Sequence, residues 1–92
     1  GPRMPRMEYA ERFADDLASV TSPKVENRIL ENLDNIERFG EFGSSMVPAS
    51  IKEEFGEGVR KVAVNPFDLV YTLYPEQDLV RVEALVHQQA AR

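Results

Sequence analysis

The chain has 92 residues, which is enough for one small domain and too few for a second hydrophobic core. Its hydrophobic content of 42% excludes a disordered chain, and the absence of cysteine beside a single histidine excludes a disulfide framework and a thiolate zinc site. The net charge of −5, from 16 acidic and 11 basic residues, argues against broad affinity for nucleic acid, although it is compatible with a local basic pocket.

The first residues look like an addition to the native chain. Gly1 and Pro2 resemble the remnant of a protease site, so we expect residues 1–5 to be an expression remnant or a disordered start, and residues 6–92 to form a single domain. Met4 and Met7 are both candidates for the native first residue. No apolar run approaches the roughly 18 residues of a membrane helix, and no charged-then-apolar leader opens the chain. A cytoplasmic protein without a membrane partner is therefore expected.

Two amphipathic helices are expected after a short candidate edge strand at Arg6–Tyr9. Apolar residues recur at helical spacing in two blocks, which are Phe13, Leu17 and Val20, and then Val25, Ile29, Leu33 and Ile36. Ser22 followed by Pro23 is typical of a helix start, because serine caps the free N–H groups and proline fits the first helical position. Gly40 is typical of a helix end. The short link between the two blocks predicts an antiparallel helical hairpin.

Three short apolar strands are expected in the last third of the chain, after a further helical turn or two at Pro48–Glu54. The predicted strands are Val59–Val64, Asp68–Tyr74 and Leu79–His87. Proline-containing turns separate them, and turns this short make neighbouring strands antiparallel. The sequence therefore predicts an α+β fold, in which an N-terminal helical hairpin packs on a small curved antiparallel sheet. That sheet comprises a C-terminal three-stranded meander with an extra N-terminal edge strand.

Strict alternation along the strands divides the predicted sheet into two faces. One face is an apolar layer for the helices to cover, and in the third strand it contains Val80, Val82, Ala84 and Val86. The opposite face carries the polar residues Lys61, Asp68, Thr72, Tyr74, Arg81, Glu83 and His87. This assignment predicts that the amine of Lys61 and the imidazole of His87 point into the same shallow cup.

The order and spacing of five segments resemble the RelE/ParE superfamily of toxins from bacterial type II toxin–antitoxin modules. The segments are Phe13–Leu17, Ile29–Phe39, Gly58–Lys61, Pro66–Tyr71 and Leu85–His87. The resemblance extends from about Arg6 to Arg92. It implies a curved sheet backed by a helical hairpin, and a cognate antitoxin that wraps the surface. RelE-like members cut messenger RNA in the ribosomal A site, whereas ParE-like members inhibit DNA gyrase.

The resemblance to RelE-like members also implies a reaction that needs no metal or cofactor. The RNA 2′-hydroxyl attacks the adjacent phosphate, assisted by a base, a cation and an acid. Members typically place a lysine on the first meander strand, an arginine before the Leu-Val-Tyr of the second, and an arginine or histidine near the end of the third. Here Lys61 matches the first position, Asp68 stands at the second, and His87 is followed by Gln88 and Gln89 where many members have a basic residue.

Lys61 and His87 are therefore the predicted catalytic residues of this implied reaction. The residues expected to bind RNA or support catalysis are Arg60, Arg81, Tyr74, Gln89 and Asp68. Five of these residues have a structural alternative on their own strand or turn: His87 caps the sheet, Lys61 pairs with Asp68 or Glu83, Arg81 is a solvated residue beside Glu83, Tyr74 packs at a hairpin end, and Asp68 caps its own hairpin. Arg60 falls on the inward side of its strand, and we expect it to bridge to Asp15 or Asp16.

Three functional hypotheses remain open from the sequence. The first is ribosome-dependent messenger RNA cleavage by a RelE-like toxin, with the antitoxin, the ribosome and messenger RNA as partners. The second is a ParE-like inhibitor that contacts DNA gyrase and cuts nothing. The third is a degenerate, non-toxic member that keeps the fold as a protein-interaction module. Lys61 and His87 on one face favour the first, whereas the acidic charge and Asp68 favour the other two.

Overall fold

The structure, a computed structural model, describes residues 4–90. Its elements are β1 (Arg6–Tyr9), α1 (Glu11–Ala18), α2 (Pro23–Arg38), α3 (Ala49–Phe55), β2 (Val59–Val64), β3 (Phe67–Tyr74) and β4 (Leu79–His87). Short 3₁₀ turns lie at Gly40–Phe42 and Pro75–Gln77. No helix in this part of the chain is long and apolar enough to cross a bilayer. The remnant predicted at residues 1–5 lies mostly outside the described residues and stays a prediction.

The two predicted amphipathic helices are confirmed, and so is the start of the second. The Ser22 hydroxyl accepts a hydrogen bond from the Val25 N–H at 3.3 Å, with Pro23 at the first helical position. Phe13 of α1 and Ile29 and Ile36 of α2 are fully or almost fully buried. They form one cluster with sheet residues, so α1 and α2 cover one face of the sheet, which we call the inner face.

The four strands form one sheet in the order β1-β4-β3-β2. Strands β2, β3 and β4 form the predicted antiparallel meander. Strand β1 pairs with β4 in parallel, so the sheet is mixed rather than wholly antiparallel. The chain path permits this direction, because the helices between β1 and the meander supply the long connection that parallel neighbours need. The predicted α+β class with a helical hairpin on a small sheet is confirmed.

A β-bulge in β4 overturns the predicted division of that strand between faces. Tyr71 pairs with Val82, but Val70 pairs with Ala84, so Glu83 is an extra residue in β4. Beyond it, every side chain of β4 is shifted to the other face. Ala84 and Val86, which strict alternation assigned to the inner face, therefore lie on the opposite face. We call that opposite face the outer face.

The two apolar clusters agree with this bulged register. On the inner face, Leu85 packs with the residues of α1 and α2. On the outer face, Val86 packs against the cluster of Ile51, Val59 and Val70. Ile51 belongs to α3 and is 2% exposed, so the short helix predicted near Pro48–Glu54 covers part of the outer face.

Tyr71 fixes the loop that follows α2 against the sheet. Its buried hydroxyl donates to the Gly40 carbonyl at 2.8 Å and accepts from the Gly43 N–H at 2.7 Å. A Cβ at Gly43 would lie 2.8 Å from the Lys61 carbonyl oxygen and from the Tyr71 ring, so only glycine fits there. Arg60 donates to the Gly43 carbonyl at 2.6 Å. The bridge from Arg60 to Asp15 or Asp16 was therefore a wrong prediction, because the loop carbonyls lie beside Arg60 instead.

Burial raises the pKa of the Tyr71 hydroxyl, and this predicts a loss of stability in alkali. Because the folded state favours the neutral phenol, this contribution is fully present below the unfolded pKa of about 10 and is lost as the pH rises through the folded value. We expect Tyr71→Phe to lower the free energy of unfolding by about 1–2 kcal/mol at neutral pH, since Gly43 and Gly40 lose their partner. We also expect its stability to fall less steeply above pH 10.

Urea unfolding of both proteins at a series of pH values measures these effects. Tyr74→Phe is the matched control, because no hydrogen bond of the Tyr74 hydroxyl is found among residues 4–90. Equal alkaline slopes in wild type and Tyr71→Phe would contradict the assignment.

Candidate functional site

The lysine predicted to be catalytic is paired with an acid on the outer face. The Lys61 Nζ lies 3.4 Å from Oδ1 and 3.5 Å from Oδ2 of Asp68. The Asp68 side chain is only 3% exposed, whereas that of Lys61 is 26% exposed. An ion pair of this kind is lost only at the cost of leaving a buried carboxylate without its counter-ion. The ammonium of Lys61 is thus held by the protein and largely neutralised.

Gln88 completes the surroundings of Asp68. Its Nε2 donates to the Asn65 Oδ1 at 2.7 Å and to the Phe67 carbonyl at 3.3 Å, and it lies 3.5 Å from the Asp68 Oδ1. An amide at this point supplies hydrogen bonds without supplying a positive charge. The contact of Gln88 with Asp68 could not be predicted from the sequence, because it depends on how the end of β4 lies beside β3.

A second charged group on the outer face surrounds Arg81. Its Nε donates to the Glu83 Oε1 at 3.1 Å, and its Nη1 forms an ion pair with Glu8 of β1. Thr72 donates to the other oxygen of Glu83 at 2.8 Å. The hydrogen bonds to Glu8 and Glu83 raise the pKa of Arg81, whose guanidinium is charged in any case. Two carboxylates therefore face one guanidinium, and no net positive charge results.

The position of Glu83 explains why its carboxylate needs hydrogen-bond partners within the protein. Glu83 is 9% exposed and is the extra residue of the bulge. A buried carboxylate requires partners, and Thr72 and Arg81 supply them from the two strands that meet there. No residue type in the sequence indicated the bulge, since Val80, Val82, Ala84 and Val86 form a regular apolar alternation.

His87 lies on the inner face rather than beside Lys61. It pairs with Phe67, and the two rings meet edge to face with their centroids 5.8 Å apart. Its Nδ1 accepts a hydrogen bond from the Gln89 N–H at 3.2 Å. The predicted cup containing both Lys61 and His87 is therefore wrong, because the bulge at Glu83 turns His87 to the other side of the sheet.

The separation between Lys61 and His87 is also large along the sheet. Two strand spacings of about 4.8 Å separate β2 from β4, and His87 lies three residues beyond the position opposite Lys61, which adds about 10 Å. A phosphate group is only a few ångströms wide. One phosphate at the Lys61 ammonium therefore cannot contact the His87 imidazole in this arrangement.

The remaining predicted residues are distributed over three places. Tyr74 is half-buried on the outer face at the far end of β3, opposite Leu79. Arg60 lies on the inner face with the loop carbonyls, and Gln89 is exposed beyond β4. The structure thus brings Lys61 together with Asp68, and leaves Arg60, Gln89 and His87 elsewhere. Within residues 4–90, no three acidic or histidine side chains converge as a metal ion would require.

Helix α3 also restricts access to the outer face. Ile51 fills the space between Val59 and Val70, and Arg12 of α1 lies over the Phe55 ring at 5.4 Å from its centroid. Arg12 also forms an ion pair with Glu54, which ties α3 to α1 across the edge of β4. Part of the outer face is therefore occupied by the protein itself.

Comparison with known proteins gives no match to a family model and none to a curated protein. The fold, by contrast, is similar to several solved structures. One is the RelBE2 toxin–antitoxin complex from Mycobacterium tuberculosis, with a TM-score of 0.71 and 14% identity over 94% of this chain and 100% of that chain. Another is the isolated RelE toxin from E. coli, with a TM-score of 0.68 and 13% identity over 90% and 83%.

A third similar structure is the ParDE toxin–antitoxin system from P. aeruginosa. Its TM-score is 0.60, with 16% identity over 91% of this chain and 96% of that chain. Identities at this level show a shared fold, and the coverage shows that the shared part is nearly the whole of each chain.

Asp68 neutralises the Lys61 ammonium. Removal of the Asp68 charge should therefore free that ammonium to bind an anion. We expect Asp68→Asn to raise the affinity for a single-stranded RNA oligonucleotide by roughly fivefold, since the opposing charge is worth about 1 kcal/mol even in water. Fluorescence anisotropy at low salt measures this affinity. Asp15→Asn, at an exposed position of α1, makes the same change in net charge and should have a smaller effect. Equal effects of both variants would show that Lys61 is not specifically masked.

Proposed function

We propose that this chain, which has the fold of the RelE- and ParE-type toxins, is the toxin of a toxin–antitoxin module and acts by binding its target rather than by cutting RNA. The ion pair between Lys61 and Asp68 carries the second half of the proposal. RNA cleavage through a phosphorane requires a positive charge that is free to meet the developing negative charge. The Asp68 carboxylate neutralises the Lys61 cation, and because Asp68 is buried, water screens its negative charge poorly.

The charges of the outer face support the same mechanism. Lys61 and Arg81 each lie against at least one carboxylate, from Asp68 or from Glu8 and Glu83, whereas Arg6 of the edge strand has no such partner among residues 4–90. Binding of RNA to phosphate-contacting lysine and arginine draws its free energy from the release of counter-ions. Cations such as Lys61 and Arg81, which already have counter-ions within the protein, gain little from that source.

The separation of His87 from Lys61 is a further argument against cleavage. A general acid must lie within hydrogen-bond reach of the oxygen that it protonates, while the cation contacts the same phosphate. The bulge at Glu83 places the sheet between the two groups. An inhibitor that acts by contact needs no such convergence, and the target that the resemblance to ParE-like members implies is DNA gyrase.

The proposal includes a cognate antitoxin and a cytoplasmic location. The similar structures include toxin–antitoxin complexes, and the shared fold extends over nearly the whole chain. An antitoxin partner is consistent with the size of the domain, since a chain of 92 residues buries only around two thirds of its unfolded surface and gains stability from a bound protein. The candidate targets of both toxin types are cytoplasmic.

Growth of a bacterial host after induced expression tests the proposal. We expect the wild-type protein to arrest growth. Lys61→Ala and His87→Ala should reduce the growth rate to within about twofold of the wild-type effect, because neither residue takes part in chemistry. Mapping of messenger RNA 5′ ends should show no new cleavage sites. Co-expression of a cognate antitoxin, to be sought among the genes that flank this one, should relieve the arrest.

Two outcomes would contradict the proposal in different ways. Loss of arrest in Lys61→Ala or His87→Ala, together with discrete messenger RNA cuts by the wild type, would establish messenger RNA cleavage instead. The absence of arrest by folded wild-type protein would favour the non-toxic interaction module. Gln77→Ala, at an exposed position in the turn between β3 and β4, is the control for truncation of a surface side chain away from Lys61 and His87.

A further inference from the structure

The outer edge of β1 is an open edge of the sheet. Backbone bonds to β4 come from even-numbered positions, with the Arg6 N–H donating to the Asp78 carbonyl at 2.8 Å and the Ala10 N–H donating to the Val82 carbonyl at 2.9 Å. Because backbone groups of a strand alternate in direction, the N–H and C=O of Met7 and Tyr9 point away from the sheet. Open edges of this kind accept another strand.

The other edges of the sheet are partly covered by the protein, and this distinguishes them from the outer edge of β1. Ser44 exchanges two backbone hydrogen bonds with Lys61 at 2.9 and 3.0 Å, and so protects the middle of β2. Where β4 extends beyond β1, the Asp16 carboxylate accepts from the Leu85 N–H at 3.0 Å. Among residues 4–90, no comparable contact covers the outer side of β1.

We propose that β1 is a self-association edge, at which two copies of this chain pair antiparallel about a twofold axis and join their sheets. The inference is independent of the proposed function. It follows from the hydrogen-bonding pattern and from the charges of β1.

The direction of the backbone groups restricts the register of such a pair. Residues whose N–H and C=O point outward must face one another, so Met7 lies opposite either Met7 or Tyr9 of the second copy. In the first register, Arg6 of each copy lies opposite Glu8 of the other. In the second register, Glu8 lies opposite Glu8. Opposite charges on directly facing residues stabilise a pair of strands and like charges destabilise it, so the charges select the first register.

The two charged residues are placed to make these contacts. Glu8 and Arg6 share the outer face, because they are two residues apart in the strand. The ion pair with Arg81 holds Glu8 on that face. Arg6 is exposed, and it forms no ion pair within 4 Å among the described residues. It is therefore available to the Glu8 of a second copy.

The size of the contact predicts a weak dimer. Two strands of four residues bury far less than the roughly 1,200 Å² of a stable protein–protein interface, so we expect a dissociation constant on the order of 100 μM. Dimers at this affinity form only at high local concentration.

Sedimentation equilibrium from 10 to about 500 μM tests the proposal. We expect a reversible monomer–dimer equilibrium for the wild type, and a dissociation constant at least tenfold higher for Arg6→Glu. Arg38→Glu makes the same charge change at an exposed position in the last turn of α2, and should leave the dissociation constant unchanged within twofold.

A charge exchange tests the register itself. Arg6→Glu and Glu8→Lys should each be monomeric alone, because like charges face each other in both homodimers. Their equimolar mixture should form a heterodimer, since both facing pairs then carry opposite charges. Circular dichroism confirms that each variant is folded. Monomeric wild type throughout the range, equal weakening by Arg38→Glu, or a mixture that stays monomeric would each overturn the proposal.

Discussion

The extra residue in β4 is the constraint on which the rest of the arrangement depends. Glu83 is inserted opposite the junction of Val70 and Tyr71, and its buried carboxylate is held by Thr72 and Arg81. Every β4 side chain after this point changes face. The bulge therefore decides which apolar residues meet the helical hairpin, and which face receives the only histidine.

The charges of the outer face follow from the same register. The bulge gives Val86 to the outer face, where α3 covers it with Ile51. Beside the covered part, Lys61 and Arg81 have counter-ions within the protein, above all Lys61 with the buried Asp68. A face of this kind is suited to the recognition of a protein surface by shape and hydrogen bonds, and is poorly suited to the stabilisation of a phosphorane.

Much of the fold could be predicted from the sequence, because helical spacing, the Ser22-Pro23 start and the proline turns are local signals. The division of residues between faces could not be predicted beyond Glu83, since a bulge depends on the partner strand and leaves no local mark in a regular apolar alternation. For Arg60, the inward direction was predicted correctly but the partners were not. Its partners are carbonyls of the loop that Tyr71 holds in place, and the sequence carries no local signal for them.

The prediction of a shared cup was wrong for the same reason, because it assumed an unbroken register along β4. The pairing of Lys61 with Asp68 was among the alternatives that alternation allowed, because both residues precede the bulge. The grouping of Lys61 with His87 required an unbroken register from one end of β4 to the other. A resemblance in sequence order places residues along strands, but only the pairing of the strands places them on a face.

Methyl–methyl nuclear Overhauser effects decide whether β4 is bulged at Glu83, because they report which face each β4 side chain occupies. With isoleucine, leucine and valine methyl groups labelled, the bulged register predicts cross-peaks from Val86 to Ile51 or Val70, and from Leu85 to Ile29 or Leu69. Cross-peaks from Val86 to Ile29, with Leu85 close to Ile51, would show instead that β4 is unbroken. An unbroken β4 would return His87 to the face of Lys61 and contradict the separation of the two residues.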